Sequence, residues 1–253
     1  MRNHWIIAAA VAVLAVMVVA STFTYAVKDG ALQTNDTNDT LFQAGTLQGL
    51  YDGQFGQLLT VGEGLANGNT GMGGFTGMDG EMIVLDGVCY QVTIDGVVHL
   101  APAETGTPYM LVGDYAPEST ISISTPTNKS SLLSSITSNM TNPNAFHIIV
   151  IRGTFTNITV RSVPFQVEPY PPLLDVVANQ SVFFYNNIQG SIVAIYAPFY
   201  VGTVDTVGYH MHFISDDLSK GGHVMDLNLV TAEIGLDKKN ELRLVEPMLP
   251  PVA

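Results

Sequence analysis

The chain has 253 residues, 47% hydrophobic and 12% charged, enough to bury a substantial core as one large domain or two small ones. Nine basic residues stand against 22 acidic ones, a net charge of −13, which argues against nucleic acid or an anionic membrane surface as a partner. A lone Cys89 excludes an intramolecular disulfide; between Val88 and Tyr90 it reads as a small buried hydrophobe.

At the amino terminus, Arg2 and His4 precede an apolar run from Trp5 to Ala20 with small residues at Val18 and Ala20, the pattern of a secretory signal. Counted on to Val27, the run reaches the ~20 residues that span a bilayer, so an uncleaved membrane anchor over 5–27 stays open beside a cleaved signal peptide. Residues 28–40, polar and repeating Asn-Asp-Thr, read as a linker. Asn-x-Ser/Thr sequons at Asn35, Asn38, Asn128, Asn139, Asn157 and Asn179 lend weak support to an extracellular surface. The expectation is an exported protein, secreted or anchored to the outer face of the cytoplasmic membrane.

Residues 41–168 form an expected α/β lobe. Short helices are predicted over 46–51 and 58–66, interrupted by Asp52-Gly53, and the glycine-rich stretch 67–74 reads as a loop. Residues 82–87 and 88–100 pattern as paired strands, with Asp86-Gly87 and Asp95-Gly96 as hairpin signals. A helix is predicted over 128–140, where Leu132, Leu133 and Ile136 share a face. Strand character returns over 147–151, 154–160 and 161–167. Pro169-Tyr-Pro-Pro172 punctuates the chain, and a short helix over 172–179 leads into an expected β-rich lobe, 169–253. The predicted fold is α+β, mainly β, in two lobes with mixed and antiparallel sheets.

Three of the six histidines lie in Gly208-Tyr-His-Met-His-Phe-Ile-Ser and the run that opens at His223. In a strand, His210 and His212 point to one face, and a hairpin through Gly221-Gly222 could return His223 beside them. A His-x-His pair alone describes a half-buried strand face equally well. The third histidine tilts the reading toward a zinc ion with an open coordination position, held on a β-hairpin of the C-terminal half. Arg161, within an alternating apolar run, suits either a substrate carboxylate or an exposed edge. Glu81, between a glycine loop and an apolar strand, suits a general acid or base, or is simply solvated.

Read together, these segments resemble the α-acetolactate decarboxylase family. The match covers roughly 41–245 and is most specific at Gly208-Tyr-His-Met-His-Phe-Ile-Ser-Asp-Asp with Gly221-Gly-His-Val-Met-Asp226. Supporting segments are Leu41-Phe-Gln, Leu50-Tyr-Asp-Gly53, Met78-Asp-Gly-Glu81, Val160-Arg-Ser-Val-Pro164 and Pro169-Tyr-Pro-Pro172. The resemblance implies that His210, His212 and His223 hold Zn2+, that Arg161 holds the anionic group of a 2-hydroxy-3-oxo acid, and that Glu81 takes part in proton transfer. It implies decarboxylation of 2-acetolactate to acetoin through a metal-stabilised enediolate, and a homodimer built by extending a sheet. The family's tail carries a further glutamate toward the metal; here Glu246 is the one late carboxylate that could substitute, and Leu218 stands where many members have a basic residue. A catalytically silent, exported zinc-binding protein is the alternative, and an iron-dependent β-barrel oxygenase a more distant one.

Overall fold

In the computed structural model, residues 39–246 are described. The expected export segment 1–27, the linker as far as residue 38, and the sequons at Asn35 and Asn38 lie outside the described residues. The described residues fall within one compact unit.

The chain runs through β1 (Thr40–Ala44), α1 (Leu47–Tyr51), β2 (Leu59–Thr60), α2 (Val61–Leu65) and β3 (Thr70–Gly74). Next come β4 (Glu81–Leu85), β5 (Val88–Val92), β6 (Val98–Leu100), β7 (Gly106–Thr107) and β8 (Tyr109–Gly113). Then follow β9 (Ser119–Ile123), β10 (Thr127–Asn128), α3 (Lys129–Asn139), β11 (Phe146–Ser162) and α4 (Leu173–Ala178). The described part ends with β12 (Ser181–Ala197), β13 (Gly208–Ser215), β14 (Gly221–Lys239) and β15 (Glu241–Val245). Helix starts are set by capping side chains: Thr46 on α1, a Thr60–Glu63 capping box on α2, and Asn128, which accepts from the Ser131 N–H, on α3. Asp86 and Gly87, at φ 52° and 81°, turn β4 into β5 as the Asp-Gly pair predicts.

Two sheets face each other. The first has seven strands in the order β15-β1-β8-β3-β4-β5-β6, antiparallel except where β15 runs beside β1. In the second, β14, β11, β12 and β13 pair in turn and β13 returns to β14, with β9 and β10 added on β14. Alternation along each strand divides the core. Tyr109 and Leu111 of β8, with Ile83 of β4, meet Val193, Ile195 and Ile214 between the sheets. Met110 and Val112 point the other way toward Val61 of α2, while Leu132 and Ile136 of α3 cover the far side of the second sheet.

Three expectations change. The glycine-rich stretch expected as a loop contains a buried central strand, β3. Its glycines permit close backbone approach: a Cβ on Gly71 would meet the Leu111 carbonyl oxygen at 1.9 Å, and one on Gly73 the Tyr109 carbonyl oxygen at 2.2 Å. The strands expected over 147–151, 154–160 and 161–167 are a single 17-residue strand, β11, which ends at Ser162. Register shifts near Phe155 and Thr159 show where bulges carry it past breaks in its alternation. Finally, β15, from the expected second lobe, joins the first sheet, and β9, β10 and β11, from the expected first lobe, belong to the second. The chain segments 41–168 and 169–253 therefore interleave their strands.

Candidate active site

Register places the candidate residues before any side-chain detail is needed. In the second sheet His223 on β14 is the cross-strand partner of both His212 on β13 and Arg161 on β11. Cross-strand partners share a face, and His210 lies two residues from His212, so all four side chains point the same way. Met211, Phe213 and Val224 pack on the opposite face in the apolar cluster beneath α3. The turn between the two strands is held by Asp217, whose Oδ1 accepts from Ser215 Oγ at 2.6 Å, Ser219 Oγ at 2.8 Å and Ser219 N at 3.1 Å. Leu218 sits exposed in that turn with φ 55°.

The three imidazoles converge. His210 Nε2 lies 3.1 Å from His212 Nε2, which lies 3.3 Å from His223 Nδ1, and one ring nitrogen from each falls within 4.8 Å of the others. His212 is fully buried, and its Nδ1 donates to the Met82 carbonyl oxygen at 2.7 Å. A carbonyl only accepts, so that bond fixes the proton on Nδ1 and leaves the Nε2 lone pair facing the other two rings. Burial, with Arg161 and the neighbouring rings adding to it, holds His210 and His223 well below the usual histidine range, and burial brings His212 to about 4. Neutral rings with convergent lone pairs are what a metal ion needs.

From the first sheet, Glu81 at the start of β4 reaches the same point. It is 6% exposed, with Oε2 at 3.4 Å from His212 Nε2 and Oε1 at 3.7 Å from Arg161 Nη1. Burial pushes its carboxyl up to about 7, against the pull of the Arg161 guanidinium. Glu81, Arg161, His210 and His223 all line a cavity of about 250 Å³ between the sheets. Its remaining wall is largely apolar, from Leu47 and Leu50 of α1 to Leu173, Leu174 and Val177 of α4. A small anion entering it would meet a cation, a carboxyl able to exchange a proton near neutrality and the imidazoles of His210 and His223, with His212 behind them.

All five residues singled out in the sequence are thus brought together. Two further histidines stand apart from the cluster: His99 is on the edge strand β6, and His147 is buried on β11 with Nδ1 at 3.1 Å from the Ala145 carbonyl oxygen. Cys89 is buried on β5, and burial pushes its thiol up to about 12. Glu246 is exposed and is not part of the cavity lining. Sequence reasoning missed Tyr109, which lines the cavity, and the buried Asp205 to which its hydroxyl donates. The alternation of β8 could have shown that Tyr109 faces inward. Nothing local marks Asp205.

The chain matches the family model described as Alpha-acetolactate decarboxylase over residues 41–250. It is 36% identical over 204 residues to the alpha-acetolactate decarboxylase of Methanosarcina mazei, covering 81% of this chain and 71% of that one. The relative of that name from Bacillus licheniformis is 30% identical over 225 residues, with 87% of each chain covered. The crystal structure of alpha-acetolactate decarboxylase from Bacillus subtilis strain 168 superposes with a TM-score of 0.81 at 29% identity, covering 83% of this chain and 90% of that one.

Proposed function

The chain belongs to the alpha-acetolactate decarboxylase family and is a carboxy-lyase, and from that premise we propose that it converts 2-acetolactate to acetoin and CO2 with a zinc ion on His210, His212 and His223. The observation that carries this reading is the convergence of three neutral imidazoles on one point, beside Glu81 and Arg161, at the wall of one cavity. Nitrogen spacings of 3.1 and 3.3 Å suit the ion, because tetrahedral zinc with ~2.0–2.1 Å bonds separates its ligands by roughly 3.3–3.4 Å. The all-nitrogen donor set also fits zinc. Bound there, zinc would supply a Lewis acid that draws off negative charge.

Arg161 pairs with the substrate's carboxylate and fixes which carbon–carbon bond is aligned to break. As CO2 leaves, its bonding electron pair stays on the substrate carbon and delocalises into the neighbouring ketone. Glu81, buried and near neutral in pKa, delivers a proton to that carbon on one face and recovers one from solvent. The apolar wall from α1 and α4 limits water around the reacting carbon.

His210→Ala, His212→Ala and His223→Ala are each expected to lose both zinc and turnover, whereas His99→Ala and His147→Ala keep them. Elemental analysis beside an acetoin assay reads this. Stoichiometric zinc after loss of two of the three hairpin histidines would remove the cluster from the mechanism, and zinc-loaded protein making no acetoin above the spontaneous rate would favour a silent metal-binding protein. Export through residues 1–27 and a homodimer belong to the same proposal. The exposed edge strand β6, where Leu100 is 69% exposed, supports pairing with a second copy. Fractionation of cells and the mass of the purified protein in solution test the two.

A further inference from the structure

Tyr109 and Glu81 flank the same glycine. Gly74 on β3 is the cross-strand partner of Glu81 on β4 and of Tyr109 on β8. The two side chains therefore stand on one face of the sheet, roughly 10 Å apart across two strand spacings, and the residue between them in the row has no side chain of its own. A Cβ on Gly74 would find the Met78 side chain at 3.5 and 3.6 Å and the Gly80 oxygen at 3.9 Å. Those are ordinary van der Waals contacts, so a methyl at Gly74 would fit against the Met78 side chain on the cavity floor, whereas Gly71 and Gly73 are needed for close backbone approach. All three residues of the row line the cavity.

Tyr109 is held from behind. Its hydroxyl donates to Asp205 Oδ1 at 2.5 Å, and the same oxygen accepts the Thr206 N–H at 2.6 Å. Asp205 is 0% exposed and Tyr109 3%, and Asp205 Oδ2 has no hydrogen-bond partner. A buried carboxyl satisfied on one oxygen is a costly thing to keep in a core. The decarboxylation steps above use neither residue. The segment before β13 is also held at Val204, whose carbonyl oxygen accepts from Gln43 Nε2 at 2.7 Å and Leu47 N at 3.0 Å, and Thr206 lines the cavity.

We propose that Tyr109, clamped by Asp205, is a positioning residue: it forms the wall opposite Glu81 and sets how a 2-hydroxy-3-oxo acid lies against that carboxyl, over the floor made by Gly74 and Met78. This rests on the functional reading of Glu81 and of the cavity. With the clamp released, the Tyr109 ring and the 203–206 segment lose their fixed place, and substrate binding loosens before chemistry does.

Steady-state kinetics on 2-acetolactate test it, with zinc content and Tm measured for wild type, Tyr109→Phe, Asp205→Asn, the double variant and Gly74→Ala. Tyr109→Phe and Asp205→Asn are each expected to raise KM about fivefold or more, with kcat changed less than about threefold and zinc retained. The double variant should be no worse than either single, because the two side chains act as one unit. Gly74→Ala, which leaves the clamp intact, should raise KM by filling the floor. Wild-type KM in Tyr109→Phe and Gly74→Ala would overturn the proposal, as would additive losses in the double variant or a KM change that appears only with loss of zinc. Should Asp205→Asn fail to fold, Tyr109→Phe and Gly74→Ala still decide the matter. Failure of the underlying functional reading shows separately, as wild-type protein without stoichiometric zinc.

Discussion

Glu81 and Arg161 lie 3.7 Å apart, yet they bring different chemistry to the cavity, and substitution separates them. Glu81→Gln keeps the shape and removes the proton, so kcat should fall by roughly 100-fold or more while KM changes much less. Because Oε2 is 3.4 Å from His212 Nε2, zinc content must be measured on the same preparation. Retained zinc with low kcat assigns Glu81 to proton transfer, weakened zinc assigns it to the metal, and wild-type turnover removes it from the mechanism. Arg161→Lys keeps the charge and loses the planar two-point grip on a carboxylate, so both KM and kcat should worsen. A lysine variant with unchanged KM would show that no substrate carboxylate rests there. The clustered histidines themselves could be named from the sequence because a period of two fixes which side chains share a face. Tyr109 and Asp205 could not be paired in that way, since 96 residues separate them in the chain.

Among the elements, the β13–β14 hairpin matters most, since it presents all three imidazoles. Its turn depends on Asp217, whose bonds to Ser215 and Ser219 hold the carboxyl down at about 2. A carboxyl lowered on folding adds stability that is present above its unfolded value of 3.8 and is lost as pH falls through about 2. The turn should therefore stay closed down to about pH 4 and loosen progressively as pH falls from there through about 2, and Asp217→Asn should abolish this dependence. The chemical shift and exchange rate of the Ser219 amide report it directly; an amide insensitive to acid in the unsubstituted protein would refute the assignment. The Asp-Gly turn, the capped helix α3 and the histidine hairpin were legible because each is governed by neighbours in sequence. Strand β3 was not, because its glycines answer to β8, on which Gly71 and Gly73 close.

At the scale of the molecule, β15 ties the end of the described chain to its beginning. It pairs with β1 along Thr40–Ala44, and Gly45 N donates to the Val245 carbonyl oxygen at 2.8 Å just before α1, which contributes Leu47 and Leu50 to the cavity. Truncation after Asn240 should bare the β1 edge and lower Tm by more than about 5 °C, with a raised KM in whatever protein stays folded. A truncated protein with unchanged Tm and KM would show that β15 closes nothing of consequence. Among the described residues no helix is long and apolar enough to cross a membrane.

The sequence by itself determined the mainly β character, the three clustered histidines, the pairing of β4 with β5 and the family, because hydrophobic period, turn chemistry and motif spacing are written locally. Only the tertiary structure decided that β11 and β12 run unbroken, that a glycine-rich stretch is a central strand, and that strands from both halves of the chain interleave. It also decided that Glu81 meets Arg161 and His212 across two sheets, and that Tyr109 meets Asp205 at the cavity wall. Each of these depends on register between strands far apart in the chain, and register follows from which backbones can approach and which side chains can share a buried face.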